Sequence, residues 1–251
     1  PVERVTFAFE HLREYEAHLS GRRLLAADTR GKAFLLRFEG DLVVYVHLQL
    51  YGKWFIRAGG ARPKTNRQLR LALDGPDKSA LLYSASDISV LPAAAVDLHP
   101  YIAKLGPDPL DAATTPARVT ARAASKPFRR RKLQSLLLDQ GFLAGVGNYL
   151  RSEILFEAGV DPARRPMDCS DAQLEALGEA AVTICRRALE HPGVTTPWPV
   201  ARALKAQGQR KRQYRHMVFG RAGQACRICG ADVVKIEAAG RRLYLCPDCQ
   251  Q

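Results

Sequence analysis

The sequence predicts an α+β protein: an N-terminal β-sandwich lobe, a C-terminal helical lobe with two helices joined by a glycine-rich turn, and a four-cysteine zinc-finger β-hairpin that closes the chain. Three observations carry this. Short apolar runs bounded by Gly, Asp and Pro fill residues 1–90. Helical periodicity takes over from about Pro116. Two Cys-x-x-Cys knuckles, Cys226/Cys229 and Cys246/Cys249, flank a strand-rich stretch at the end.

The N-terminal runs are residues 24–27, 33–36, 42–46, 54–56, 69–73 and 80–83. They are short and closely spaced, and residues 69–73 alternate in strand fashion, which suits a sandwich or barrel. Gly106-Pro107-Asp108-Pro109-Leu110 and residues 112–116 read as a punctuated linker. The domain layout expected is a sandwich lobe over 1–105, a linker over 106–115, a helical lobe over 116–215 and a finger over 216–251. Residues 171–189 carry the clearest helical pattern: Leu174, Leu177, Ala181, Ile184 and Ala188 recur at steps of three and four, with Ser170 as N-cap. Pro197-Trp198-Pro199 reads as a break. Arg210-Lys211-Arg212-Gln213-Tyr214-Arg215 is a basic run leading into the finger.

Four cysteines at the finger spacing can surround one Zn²⁺ tetrahedrally and pin a hairpin at its base. The alternative is a disulfide pair or unliganded thiols. A hairpin this small buries little apolar surface, so zinc would supply its folding energy. Cys169 and Cys185 lie outside the finger in helical sequence and read as buried thiols, a usage that fits a reducing cytosol. His47, His99, His191 and His216 show no ligand spacing with any cysteine and read as structural.

The formal charge is +13, and four thiolates with their zinc leave +11. Such an excess calls for a polyanionic partner, nucleic acid first; solubility alone is the plainer reading. No apolar run approaches membrane-spanning length, and no signal peptide is visible.

A second strong signal runs from Leu136 to Leu150. An apolar helix ends near Gln140, a turn holds Gly141, Gly145 and Gly147, and a second helix begins near Asn148. Glycines let backbone approach a ligand, and a helix start attracts phosphate. Asn148 can cap that helix and donate a side-chain hydrogen bond. The pattern places Leu150, Ile154 and Leu155 inward and Arg151, Glu153 and Glu157 outward. Arg129, Arg130, Arg131 and Lys132 precede the element. An ordinary αα-corner with glycine turns would look similar.

These segments together resemble the formamidopyrimidine-DNA glycosylase/endonuclease VIII family of DNA repair enzymes. Leu138-Asp139-Gln140 through Gly145-Val146-Gly147-Asn148-Tyr149, followed by Glu153, is similar to its helix–two-turn–helix signature. Cys246-Pro247-Asp248-Cys249-Gln250 is similar to the end of its zinc finger, and Thr29-Arg30-Gly31-Lys32 to its β-sandwich lysine motif. Gln49-Leu50-Tyr51-Gly52-Lys53-Trp54 and Leu82-Tyr83-Ser84-Ala85-Ser86-Asp87 resemble the endonuclease VIII branch. The resemblance runs from Pro1 to Gln251.

The resemblance implies a base excision repair DNA glycosylase with AP lyase activity. It would remove oxidised pyrimidines and cut the strand by β,δ-elimination through a Schiff base. It assigns Lys32 to the active site as proton donor and charge partner, and Arg241 to the grip on the extruded nucleotide's phosphates. Gln49, Leu50 and Tyr51 would fill the void left by the flipped base; Lys104 and Asn148 would contact DNA. Zn²⁺ would be structural, one per chain, on Cys226, Cys229, Cys246 and Cys249. The expected partner is double-stranded DNA with an oxidised base or abasic site, met by a cytoplasmic, nucleoid-associated monomer with no membrane contact.

One departure stands out. The family's nucleophile is an N-terminal proline amine, followed by a catalytic glutamate and a helix. Pro1-Val2-Glu3-Arg4-Val5-Thr6-Phe7 matches the segment after that helix instead. Pro1 and Glu3 are therefore not assigned those roles. The expectation is that the first helix is missing from this segment or that the activity has been lost. In the second case the chain would be a zinc-dependent, non-catalytic binder of damaged DNA.

Overall fold

A computed structural model describes residues 1–251. The chain divides into two compact units, Pro1–Lys104 and Leu105–Gln251.

The first unit holds two four-stranded antiparallel sheets. One contains β1 (Arg4–Phe7), β6 (Leu69–Asp74), β7 (Lys78–Tyr83) and β5 (Lys53–Ala58) in that order; the other contains β2 (Leu24–Arg30), β3 (Ala33–Phe38), β4 (Leu42–His47) and β8 (Asp87–Pro92). Period-two alternation decides the faces. Leu36, Phe38, Val44 and Val46 meet Val5, Phe7, Leu71, Leu73 and Leu82 in the sandwich core. Ala33, Leu35, Val43 and Tyr45 turn to the opposite face, where Val96 and Ile102 from two 3₁₀ segments cover them.

The six runs read from the sequence are β2 to β7. Strands β1 and β8 and a short helix, α1 (Glu14–Leu19), complete the unit. The alternation read over residues 69–73 is broken by a β-bulge between Leu69 and Leu71. Leu71 and Leu73 point into the core, whereas Leu69 joins Ala72 on the other face. An extra residue flips the parity of everything before it.

The second unit is helical. Thr115 caps α2 (Pro116–Ala124), accepting the Arg118 amide, with Pro116 at the first helical position where its missing N–H costs nothing. Helix α5 (Asp171–Glu190) starts with a full capping box, Ser170 with Gln173. The two helices cross closely: a Cβ on Gly178 would lie 2.6 Å from the Pro116 carbonyl oxygen. Pro197-Trp198-Pro199 opens helix α6 (Trp198–Ala206) rather than breaking the chain, because proline is tolerated in a first turn. Cys185 is buried in α5, but Cys169 is half-buried and lies between a 3₁₀ turn and the α5 cap, outside any helix.

The hairpin of β9 (Val234–Ala238) and β10 (Arg241–Leu245) does not stand apart. Ala238 and Leu243 enter the core around α4 (Asn148–Glu157), while Phe156 of α4 packs with Cys226, Val233, Tyr244 and Cys246. No helix is long and apolar enough to cross a membrane.

Candidate nucleic-acid interface

The sulfur atoms of Cys226, Cys229, Cys246 and Cys249 all lie within 4.8 Å of one another. Sulfurs at about 2.3 Å from a tetrahedral zinc stand about 3.8 Å apart. The Cys226–Cys249 and Cys229–Cys246 separations are 3.9 and 3.4 Å, and the Ile228 amide points at Cys226 Sγ. The four thiolates therefore fit a structural Zn²⁺. They fill its coordination shell and leave no position for an activated water.

Above the knuckles, β9 and β10 pair from Val234↔Leu245 to Ala238↔Arg241. The loop is two residues, Ala239 and Gly240, both at positive φ (55° and 66°). That is the primed turn whose twist matches a hairpin, and it sets Arg241 immediately after the tip.

Helix α4 anchors this tip. The Arg151 guanidinium, fully buried, donates to the carbonyls of Gln134 (2.8 Å), Ala238 (3.2 Å) and Arg242 (3.2 Å) and to Asn148 Oδ1 (2.7 Å). Asn148 Nδ2 donates to the same Arg242 carbonyl at 2.7 Å. Burial, and the like charge of Arg241, lower the Arg151 pKa to about 10, so it stays protonated at neutral pH. The Arg241 side chain is exposed and makes no hydrogen bond or ion pair within the chain. The lock thus fixes the backbone on both sides of Arg241 and leaves its guanidinium free to grip an anion.

The cap of α4 is Gly147, not Asn148. Gly147 has the extended cap conformation, and no side chain satisfies the first turn. Asn148 is the first helical residue, with its amide group committed to Arg151 and Arg242. The uncapped amides of this ten-residue helix carry a partial positive charge that suits an anion.

The turn before α4 is held from inside. Gln140 Nε2 donates to the Leu138 and Val146 carbonyls, and its Oε1 accepts the Gly145 amide. Gly145 takes φ +81°. Arg122 donates to the Gly141 and Phe142 carbonyls. Burial alone would raise the Asp139 carboxyl; its ion pair with Arg131 and the Gly141 amide outweigh that and hold it below the usual carboxylate range. The preceding α-helix, α3, is short, Leu133–Leu136, so turns occupy residues up to Gly147.

Two outward residues of the helical reading are corrected. Arg151 and Glu153 are buried, and only Glu157 faces solvent. Glu153 accepts the amides of Met217 (2.8 Å), Val218 (2.9 Å) and Phe219 (2.8 Å) and the Thr195 hydroxyl (2.6 Å). It fastens the segment that enters the finger. Glu153→Ala would leave three backbone amides without their acceptor, while the Thr195 hydroxyl keeps the Arg215 carbonyl, and a loss of about 3 kcal/mol or more is expected in denaturant unfolding, with a smaller loss for Glu153→Gln.

In the first unit, Lys32 occupies the two-residue turn between β2 and β3, after Gly31 at φ +57°. Its amide donates to Tyr101 Oη at 3.0 Å. The Tyr101 ring meets His47 edge-on at 4.9 Å, and His47 pairs with Ala33 across the sheet. Burial, aided by the Lys32 charge, pulls His47 below its ordinary pKa against the opposing Asp87.

Between β4 and β5, Gln49 sits at φ +51°, its amide on His47 Nδ1 and its Oε1 on the Ser86 hydroxyl. Leu50 and Tyr51 are 80% and 67% exposed. The loop beneath them is closed: Gly52 donates to the Leu48 carbonyl, and Arg67 donates to the Tyr51 carbonyl. A Cβ on Gly52 would lie 2.5 Å from the Leu48 oxygen, so only glycine fits. Two large apolar side chains are thus held in water on a rigid base. Lys104 is exposed at the end of the 3₁₀ turn Ile102–Lys104.

The second unit therefore gathers Asn148, Arg241 and the four cysteines into one framework. The first unit ties Lys32, through Tyr101, and the 49–51 loop to His47. Sequence reasoning missed Arg151, Tyr101 and the Arg242 carbonyl. The i,i+3 spacing of Asn148 and Arg151 on one helix was the available signal for the first.

Comparisons with known proteins agree with this layout. The chain matches the formamidopyrimidine-DNA glycosylase N-terminal domain over residues 2–86 and the H2TH domain of the same glycosylase over 105–198. It matches the zinc finger found in FPG and IleRS over 223–251. It is 42% identical over 250 residues to "Endonuclease 8" of Klebsiella pneumoniae and 43% identical over 251 residues to that of Salmonella agona, covering 100% of this chain and 92% of each relative. Its fold is similar to that of the Lactococcus lactis formamidopyrimidine DNA glycosylase non-covalently bound to DNA containing an AP site (TM-score 0.80, 21% identity, 100% and 92% coverage). The same enzyme bound to DNA containing an oxidized pyrimidine gives a TM-score of 0.82 at 20% identity, with the same coverage. With three family domains matched in order and full-length relatives above 40% identity, the chain belongs to the formamidopyrimidine-DNA glycosylase/endonuclease VIII family, on its endonuclease VIII side.

Proposed function

We propose that this protein is a DNA glycosylase and AP lyase of base excision repair that removes oxidised pyrimidines. The observation that carries it is the pair Leu50 and Tyr51, exposed on a loop locked by Gly52, His47 and Ser86. Chemistry at C1′ requires the damaged base to leave the stack, and an apolar wedge fills the hole behind it. The pyrimidine assignment rests on the resemblance of residues 49–54 and 82–87 to the endonuclease VIII branch.

The reaction needs an amine. It bonds to C1′ as the glycosidic C–N bond breaks, and the departing base takes a proton. The C1′–O4′ bond then opens, with O4′ taking a proton, to give the Schiff base, which acidifies C2′–H; loss of that proton expels the 3′ phosphate, and a second proton loss expels the 5′ phosphate. Pro1 lies three residues before β1, in the segment that resembles the one after the family's first helix, and is not given the nucleophile's role. Lys32 supplies a cation and a proton near the sugar and phosphate from a turn fixed by Tyr101. Arg241, with the open amides at the start of α4 and the second Nδ2 hydrogen of Asn148, holds phosphates, and Lys104 adds a further contact. Zinc keeps the hairpin folded.

Lys32→Ala should lower strand cutting by about 10²-fold or more while weakening duplex binding only a few-fold. Equal losses in single-turnover cleavage and in affinity would remove Lys32 from the chemistry. The lesion assignment is tested by single-turnover base release from matched duplexes. Thymine glycol or dihydrouracil should leave faster than 8-oxoguanine; the opposite order would overturn it.

A further inference from the structure

From His191 to Ala231 the chain contains eight Lys or Arg and no Asp or Glu. Within this stretch, helix α6 and a single-turn helix, α7 (Lys211–Tyr214), form a tight pair. The turn between them is built. Gly208 takes φ +83°, its amide donates to the Lys205 carbonyl, and the Gln209 amide donates to the Leu204 carbonyl. That pattern ends a helix in a left-handed cap. Inside, Ala201 and Tyr214 pack with Val194 and Leu204. At the start of α6, the Trp198 ring stacks on His191 at 3.8 Å and 16°, which ties the pair to the end of α5.

Some of the cations serve the fold. Lys211 donates to the Pro192 carbonyl, Arg227 to the Gln213 carbonyl, and Arg221 to the Met217 and Ala225 carbonyls. Arg202, Lys205, Arg210 and Arg212 are different. All four are exposed or half-exposed, and none of their guanidinium or ammonium groups donates a hydrogen bond or forms an ion pair in the chain. Arg202 and Lys205 lie three residues apart and share one helix face. Four unpaired cations on one packed turn repel each other, and no acidic side chain of their own segment relieves them.

We propose that the α6–α7 pair is a second DNA-binding surface, gripping backbone phosphates of the duplex independently of Asn148 and Arg241. The inference rests on the DNA reading above. Phosphate is the chemistry that matches unpaired guanidinium and ammonium groups on a rigid base, and it carries no base specificity.

The test is the salt dependence of binding to a short undamaged duplex, for the natural protein and for the fourfold variant R202Q/K205Q/R210Q/R212Q. Each lost phosphate contact removes about 0.9 from the slope of log K against log salt, so the slope should become shallower by about 3 to 4. A charge-keeping variant, R202K/R210K/R212K, should retain the full slope, which separates charge from misfolding. An unchanged slope in the fourfold variant overturns the proposal and leaves an acidic protein partner as the remaining fit. If the natural protein itself binds no duplex, the DNA reading fails and this surface fails with it.

Discussion

Stripped of its zinc, the protein should bind a damaged duplex far more weakly while the sandwich unit stays folded. The hairpin tip carries Arg241, and its backbone is held at one end by four thiolates and at the other by Arg151 and Asn148. Zinc contributes on the order of 10 kcal/mol to folding a finger of this kind, far more than the hairpin's own burial. Without it, Cys226, Val233, Tyr244 and Cys246 no longer pack against Phe156, and the carbonyls that Arg151 needs move away. A buried guanidinium would then lack partners, so disorder should spread into α4. The check is chelation with verified metal loss, followed by binding to an abasic-analogue duplex and by circular dichroism. Unchanged affinity would count against a structural finger.

Arg241→Ala should lower strand cleavage by about 10²- to 10³-fold, and Arg242→Ala by much less. The two are neighbours with opposite duties. Arg241 follows the primed turn with a free side chain. Arg242 contributes its backbone carbonyl to Asn148 and Arg151, and that carbonyl survives substitution by alanine. Arg241→Lys should recover only part of the loss, since an ammonium cannot grip two phosphate oxygens as a planar fork does. Single-turnover cleavage of an abasic duplex reads the ranking; the reverse order would place the functional arginine one residue on.

Much of this was legible because the signals are local. The Cys-x-x-Cys knuckles fix four sulfurs within a few residues of each other. Ser170 and Gln173 declare a helix start, and six of eight sandwich strands announce themselves as apolar runs. What failed to show depended on partners distant in sequence. Arg151 and Glu153 read as outward because a helix wheel assumes one wet face. Here β9 and β10 and the 214–219 segment, all more than 60 residues later, cover that face. Asn148 read as a cap by residue type, yet its side chain is better used on Arg242, and Gly147 takes the extended cap position without strain. The bulge before Leu71 left no mark in the hydrophobic pattern. Nor could spacing show that the Tyr101 hydroxyl receives the Lys32 amide from 69 residues away.

The central claim is that this framework serves an amine-based cut at an abasic or damaged nucleotide. Borohydride trapping tests it most directly, on the protein as the cell makes it, with a duplex carrying an abasic site and with peptide mapping of the product. The account predicts a stable covalent adduct on one amine, weakened when Arg241 or Lys32 is replaced. Tight lesion binding with no adduct under any reducing condition would contradict it and leave a zinc-dependent binder of damaged DNA.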